Sequence, residues 1–141
     1  MPYAVWTASQ MASFYAPVLP TGFARLDLEL PNGGWSKSAL IELLIQQHGI
    51  GEMQLLKPAL VSISQRQRVA MIKPPFQPNG LACAGWGLEH KNLLWIKATS
   101  ASDAMWSAEQ ILTNGSCGAV LLWQTNVRPD ALRRLHLAAQ S

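Results

Sequence analysis

From residue 39 onward the apolar positions follow two alternating rhythms. Short unbroken apolar runs, bounded by polar or turn residues, alternate with longer stretches in which apolar residues return every three or four positions. The first run, "ALIELLI" (39–45), predicts a buried strand. Residues 51–64 predict a helix with Met53, Leu56, Leu60 and Ile63 on one stripe. Pro58 interrupts that stripe, and an interior proline costs about 3 kcal/mol, so the pattern predicts a late start or a bend. "RVAMIK" (68–73) and "NLLWIKA" (92–98) predict a second and a third strand, separated by "PPFQP" and a short helix from Pro78 to about Trp86.

The most regular helix follows. Ser100 or Ser102 suits its cap, Asp103 its positive end, and Ala104, Met105, Ala108, Ile111 and Leu112 form its apolar stripe. Asn114-Gly115 ends it. "GAVLLWQ" (118–124) predicts a fourth strand, whose continuous apolar character suits a central parallel position. Pro129 opens a last helix with Leu132, Leu135, His136 and Ala139 on one side. Upstream, residues 1–20 form an N-terminal segment with a short helix over 4–13, closed by Pro17 and Pro20. Pro31-Asn32-Gly33-Gly34 marks a turn. Strands alternating with helices predict an α/β domain over 21–141, with a mostly parallel sheet flanked by helices. The chain stops after a helix, so this sheet is expected to be reduced or C-terminally truncated.

Composition supports a packed domain. Of 141 residues, 49% are hydrophobic and 13% charged, which is the balance of a globular core rather than of a disordered chain. A net charge of +3 permits contact with nucleic acid or an acidic protein without pointing to either. Cys83 and Cys117 lie among small or apolar residues and read as buried, reduced thiols. No basic leader precedes an apolar stretch, and no apolar run approaches the roughly 20 residues of a membrane span, so a cytoplasmic location without membrane contact is expected. The six tryptophans are many for this length, which invites a place for one or two on a partner surface.

The run "QQHGIGEMQ" sits where a strand turns into a helix, as a phosphate-binding P-loop does. A P-loop needs close-approach glycines, a lysine for the phosphates and a hydroxyl for Mg²⁺. Here Gly49 and Gly51 are kept, but Glu52 replaces the lysine and Met53 the hydroxyl. A carboxylate at a helix N-terminus satisfies the free N–H groups itself and repels triphosphate. The strand ends where a catalytic acid would sit carry Lys73-Pro74-Pro75 and Trp123. This is the shell of a nucleotide site, with no cofactor expected.

Other chemistries find less support. His48, His90 and His136 are far apart in sequence with no ligand spacing for a metal. Cys83 with His90 lacks a third orienting group. Catalytic residues are therefore expected to be absent, which leaves binding. Arg66 and Arg68 flank the second strand, Lys91 precedes the third, and Arg133-Arg134 lie on the last helix. Each is accounted for by a solvated face or, alternatively, by a basic partner-contact edge. Trp95 and Trp123 would strengthen a nucleic-acid reading, but they fall within or at the end of strands, where core is favoured.

From Pro20 onward the chain resembles a known family. "PTGFARLDLELPNGGWSKSALIELLIQQHGIGE" is similar to the opening of the RecA core: a Thr-Gly, a Leu-Asp pair, a Gly-Gly turn, a strand with Glu, then the P-loop position. "IELLIQQHGIGEMQLLKPAL", "IKPPFQP" and "AMWSAEQILTNGSCGAVLLW" extend the resemblance to ImuA, the RecA-like accessory proteins of mutagenic translesion synthesis. The SulA cell-division inhibitors are related and share a reduced RecA-like core from about residue 40. Leu26-Asp27 and Gly33-Gly34-Trp35 favour ImuA, whereas the short length is SulA-like.

The ImuA resemblance implies a non-catalytic adaptor of the SOS response. Its partners would be an ImuB-like inactive Y-family polymerase, an error-prone C-family DNA polymerase and RecA, with weak DNA contact. The contact residues expected under that reading are Trp35, Arg66, Arg68, Arg133 and Arg134. The SulA resemblance implies instead an inhibitor that binds FtsZ and blocks its polymerisation, with Arg68 at a position shared with SulA-type sequences.

Overall fold

The computed structural model describes residues 17–44, 50–75, 87–124 and 127–140. They fall into two compact units that divide between Lys37 and Ser38. The helices expected over 4–13 and from Pro78, together with Gly49, His48 and Cys83, lie outside the described residues.

In the first unit β1 (Val18–Leu19) pairs antiparallel with β2 (Trp35–Ser36), placing Leu19 opposite Trp35. Between them runs α1 (Ala24–Glu29), followed by a 3₁₀ turn at Pro31–Gly33 in which Asn32 and Gly33 have φ of 62° and 84°. The buried Thr21 ties this loop together. Its backbone N–H and hydroxyl both donate to Asp27 Oδ1, at 3.0 and 2.7 Å, and its Oγ1 accepts from the Phe23 N–H at 3.0 Å. Gly34 sits so close to β1 that a Cβ there would lie 2.5 Å from the Leu19 carbonyl oxygen. Thr21, Asp27, Gly34 and Trp35, separate motifs in sequence, are thus one knot.

The second unit is a three-layer α/β arrangement. Strands β3 (Arg68–Ile72), β4 (Leu93–Ile96) and β5 (Cys117–Leu122) form a parallel sheet in the order β4-β3-β5. Side chains alternate across it, as a period of two requires. Val69, Met71, Leu93, Trp95, Ala119 and Leu121 join Met53, Leu56 and Leu60 of α2 (Ile50–Ser64) on one face. Ile72, Ile96, Val120 and Leu122 meet the other two helices on the opposite face. These are α3 (Ala101–Asn114), through Ala104 and Ala108, and α4 (Pro129–Gln140), through Leu135.

The expected ends of α3 hold in detail. Ser100 caps it, accepting from the Asp103 N–H at 3.1 Å, and Gly115 closes it in the left-handed region at φ 73°. α2 begins at Ile50 and continues through Pro58, without the late start that the proline suggested. Its lost hydrogen bond is offset by the burial of Met53, Ala59 and Leu60.

Two expectations are corrected. Residues 40–44 do not form a strand: Leu40 joins the α3/α4 core, while Ile41 is 41% and Leu44 90% exposed. The Leu40 N–H donates to His136 Nδ1 on α4 at 3.1 Å, where a strand residue would donate to its neighbour. The second concerns the centre of the sheet. That place belongs to β3, paired on both sides and fully buried from Val69 to Ile72, whereas β5 is an edge strand among the described residues.

Burial makes a sharp contrast between two large side chains. Met71→Ala, at a site that is 0% exposed, is expected to lower unfolding free energy by about 2–5 kcal/mol in urea denaturation. Trp106→Ala, at a site that is 64% exposed, is expected to change it by less than about 0.5 kcal/mol.

Candidate functional site

Gly51, Glu52 and Met53, three of the positions compared with a P-loop in the sequence, lie in the first turn of α2. Gly51 is exposed, and nothing lies within 4 Å of where a Cβ would stand. Its lack of a side chain therefore answers no steric demand in this unit. Glu52 is only 5% exposed, and its carboxylate sits at the positive end of the helix, the place a phosphate would take. Met53 is 1% exposed and turned into the core with Leu60 and Met71, so no polar group at that position faces the turn.

The carboxyl ends of the strands complete this picture. β3 is followed by Lys73, a non-glycine residue held at φ 54°, whose N–H donates to the Ile96 carbonyl at 3.3 Å. Pro74 is half-buried behind it. β5 is followed by Trp123, which packs on the α2 face and donates its N–H to the Ile72 carbonyl at 3.3 Å. Lys73, Lys97 and Trp123 are the residues that leave the three strands here, and none of them carries a carboxylate.

The opposite end of the sheet has a different character. α2 closes with Arg66 and Gln67 N–H groups both donating to the Ile63 carbonyl, at 3.1 and 2.9 Å, and the chain turns directly into β3. This brings Arg66 and Arg68 to one exposed corner beside the negative end of α2, which favours cations. Neither has an ion-pair partner among the described residues.

The corner is fixed by Ser64, which is fully buried. Its hydroxyl donates to the Val61 carbonyl at 3.0 Å and accepts from the Glu89 N–H at 3.1 Å, while its carbonyl accepts from Asn92 Nδ2 at 2.6 Å. These bonds bind the end of α2 to the turn that carries His90 and Lys91, both exposed. The amino end of the sheet thus carries Arg66, Arg68 and Lys91 on a braced frame. Cys117, opposite Arg68 in the ladder, belongs to the same end. Burial pushes its thiol above the ordinary value, against the smaller opposing pull of the Ser116 hydrogen bond and the Arg68 charge.

The five expected contact residues separate. Arg66 and Arg68 stand together at the amino end. Arg134 is engaged elsewhere, with Nη2 donating to Glu109 Oε2 and Oε1 of α3 at 2.8 and 3.0 Å, so it braces two helices. Arg133 is exposed on α4, and Trp35 is half-buried in the first unit. Sequence reasoning missed Ser64. Its only signal was a polar run, Ser64-Gln65-Arg66-Gln67, closing an apolar helix. Among the described residues, Trp106 is the tryptophan left mostly exposed.

No protein-family model matches this chain, and no curated protein matches it. Among solved structures, SulA from Pseudomonas aeruginosa superposes with a TM-score of 0.58 at 24% sequence identity, covering 69% of this chain and 85% of that one. The likeness establishes a shared fold.

Two outcomes follow for these groups. Gly51→Ala is expected to be neutral or to stabilise by up to about 1 kcal/mol, whereas Glu52→Lys, which buries a cation at the positive end of a helix, is expected to cost at least about 2 kcal/mol in chemical denaturation. In a Cys83→Ser background, alkylation of Cys117 at pH 8 is expected to be slower than that of a free thiol and to accelerate only at higher pH, because burial favours the protonated form.

Proposed function

We propose that this chain is a non-catalytic, RecA-like domain that acts by binding a protein, and that it inhibits cell division in the SulA manner by holding FtsZ out of its polymer. The observation that carries this reading is the fold shared with SulA over most of both chains. Support comes from the two ends of the sheet. The carboxyl end, where a RecA-type nucleotide site would lie, is filled by Glu52, Met53 and Trp123. The amino end presents Arg66, Arg68 and Lys91, none of them in an ion pair among the described residues. No described helix is long and apolar enough to cross a membrane, and a cytoplasmic location is proposed with the function.

Such an inhibitor needs no chemistry of its own. A subunit whose polymer contact is covered leaves the pool available for assembly, and the free-energy source is the complex itself: a micromolar complex is worth about 8 kcal/mol. Arginines suit the contact because a planar guanidinium can bridge a carboxylate with two hydrogen bonds. The buried Ser64 frame holds the turn that presents them, so little ordering is left for the moment of binding.

A second reading has its own observation. The features that resemble ImuA, Leu26-Asp27 and Gly33-Gly34-Trp35, are those the first unit knots together through Thr21–Asp27 and the close approach of Gly34 to Leu19. Under it the chain is an adaptor in translesion synthesis that gathers an ImuB-like protein, an error-prone polymerase and RecA. Capture of partners from DNA-damaged cells separates the two readings by whether FtsZ or those polymerase components co-purify.

The direct test is light scattering of purified FtsZ with GTP. An equimolar amount of the chain is expected to suppress polymer formation, and Arg66→Glu with Arg68→Glu to weaken that inhibition at least tenfold, about 1.4 kcal/mol, with an unchanged melting temperature. Undiminished assembly with the wild-type chain would remove the division-inhibitor reading.

A further inference from the structure

The room left by Gly118 is filled by the turn that carries the arginines. Gly118 has no left-handed backbone to accommodate, so what it supplies is space. A Cβ there would lie 2.7 Å from Ile63 Cγ2, 2.7 Å from Gln67 Oε1 and 2.9 Å from Gln67 Cβ. Ile63 and Gln67 are themselves joined, because the Ile63 carbonyl accepts the Gln67 N–H where α2 closes. Gln67 stands between Arg66 and Arg68 in the chain, and both arginines are exposed. The ladder is irregular at the same place. Arg68 pairs with Cys117 and Val69 with Ala119, so Gly118 is an extra residue in β5 with no counterpart on β3. A bulge of this kind re-aims the side chains beside it.

We propose that Gly118 is a positioning residue for the arginine pair: Gln67 and Ile63 rest on it, and this seat sets the direction in which Arg66 and Arg68 leave the sheet. The amide end of Gln67 can swing away from an added methyl group. Its Cβ cannot move without the backbone that joins the two arginines. Ser64 braces the corner from the β4 side, through Glu89 and Asn92, and Gly118 completes the grip from the β5 side. Direction matters here, because a guanidinium makes two hydrogen bonds to one carboxylate only when its fork faces that group. The part that Gly118 plays in binding rests on the function proposed above, in which this corner meets FtsZ.

Gly118→Ala tests the seat through two readouts on the full chain. In the amide spectrum by nuclear magnetic resonance, Arg66, Gln67 and Arg68 are expected to shift while α3 and α4 stay unmoved. In the FtsZ assembly assay the variant is expected to need at least about fivefold more chain for half inhibition, at an unchanged melting temperature. Gln67→Ala empties the seat without crowding it, which covers the case of a Gly118→Ala chain that fails to fold. It is expected to shift the Gly118 amide and to weaken inhibition in the same direction. Full inhibition by both variants, or unmoved amides at 66–68 in Gly118→Ala, overturns the proposal. A wild-type chain that leaves FtsZ assembly undiminished removes the division-inhibitor reading alone. The spectrum then decides the seat: shifts gathered at 66–68 support it, and their absence overturns it.

Discussion

The second unit depends on β3. Residues Val69–Ile72 are wholly buried, paired with β4 on one side and β5 on the other, and their side chains divide alternately between two cores. Because the period of a strand is two, this one element settles which residues face α2 and which face α3 and α4. A slip of one residue would exchange Met71 with Ile72 and disorder both cores at once. The candidate surfaces follow from the same strand. Its amino end presents Arg68 beside Arg66, and its carboxyl end leads to Lys73.

The two ends of that sheet differ in charge. In an α/β fold the carboxyl ends of the strands, with helix N-termini beside them, form the natural anion site. Here the electrostatic opportunity is taken by the chain itself, because the buried Glu52 occupies the helix start and Met53 serves the core. The uncompensated positive charge stands at the other end, next to a helix C-terminus that favours it. The charged corner braced by Ser64 and the buried carboxylate at the helix start are the two features on which the proposed protein-binding role rests.

The sequence made much of this legible where the signals are local. The α3 cap at Ser100 and its stop at Gly115 depend on neighbours three or four residues away, and both were read correctly. The strands β3 and β4 were visible as apolar runs. What failed was non-local. "ALIELLI" carries the apolar content of a strand, but pairing requires a neighbour, and in the structure Leu40 turns to His136 instead. β5 has the composition of a central strand and lies at an edge, since its apolar character reports burial of its faces and not pairing on both sides. Arg134 looked free because Glu109 is 25 residues away on another helix. α1 escaped notice because "ARLDLE" alternates like a strand and buries none of its side chains.

The most direct test of the account is a titration of the purified chain with a fluorescent ATP analogue in the presence of Mg²⁺. A filled nucleotide position predicts no saturable signal up to millimolar analogue. Saturable micromolar binding that is lost on substituting Gly51 would contradict it, since the helix start at Glu52 would then be cradling phosphate.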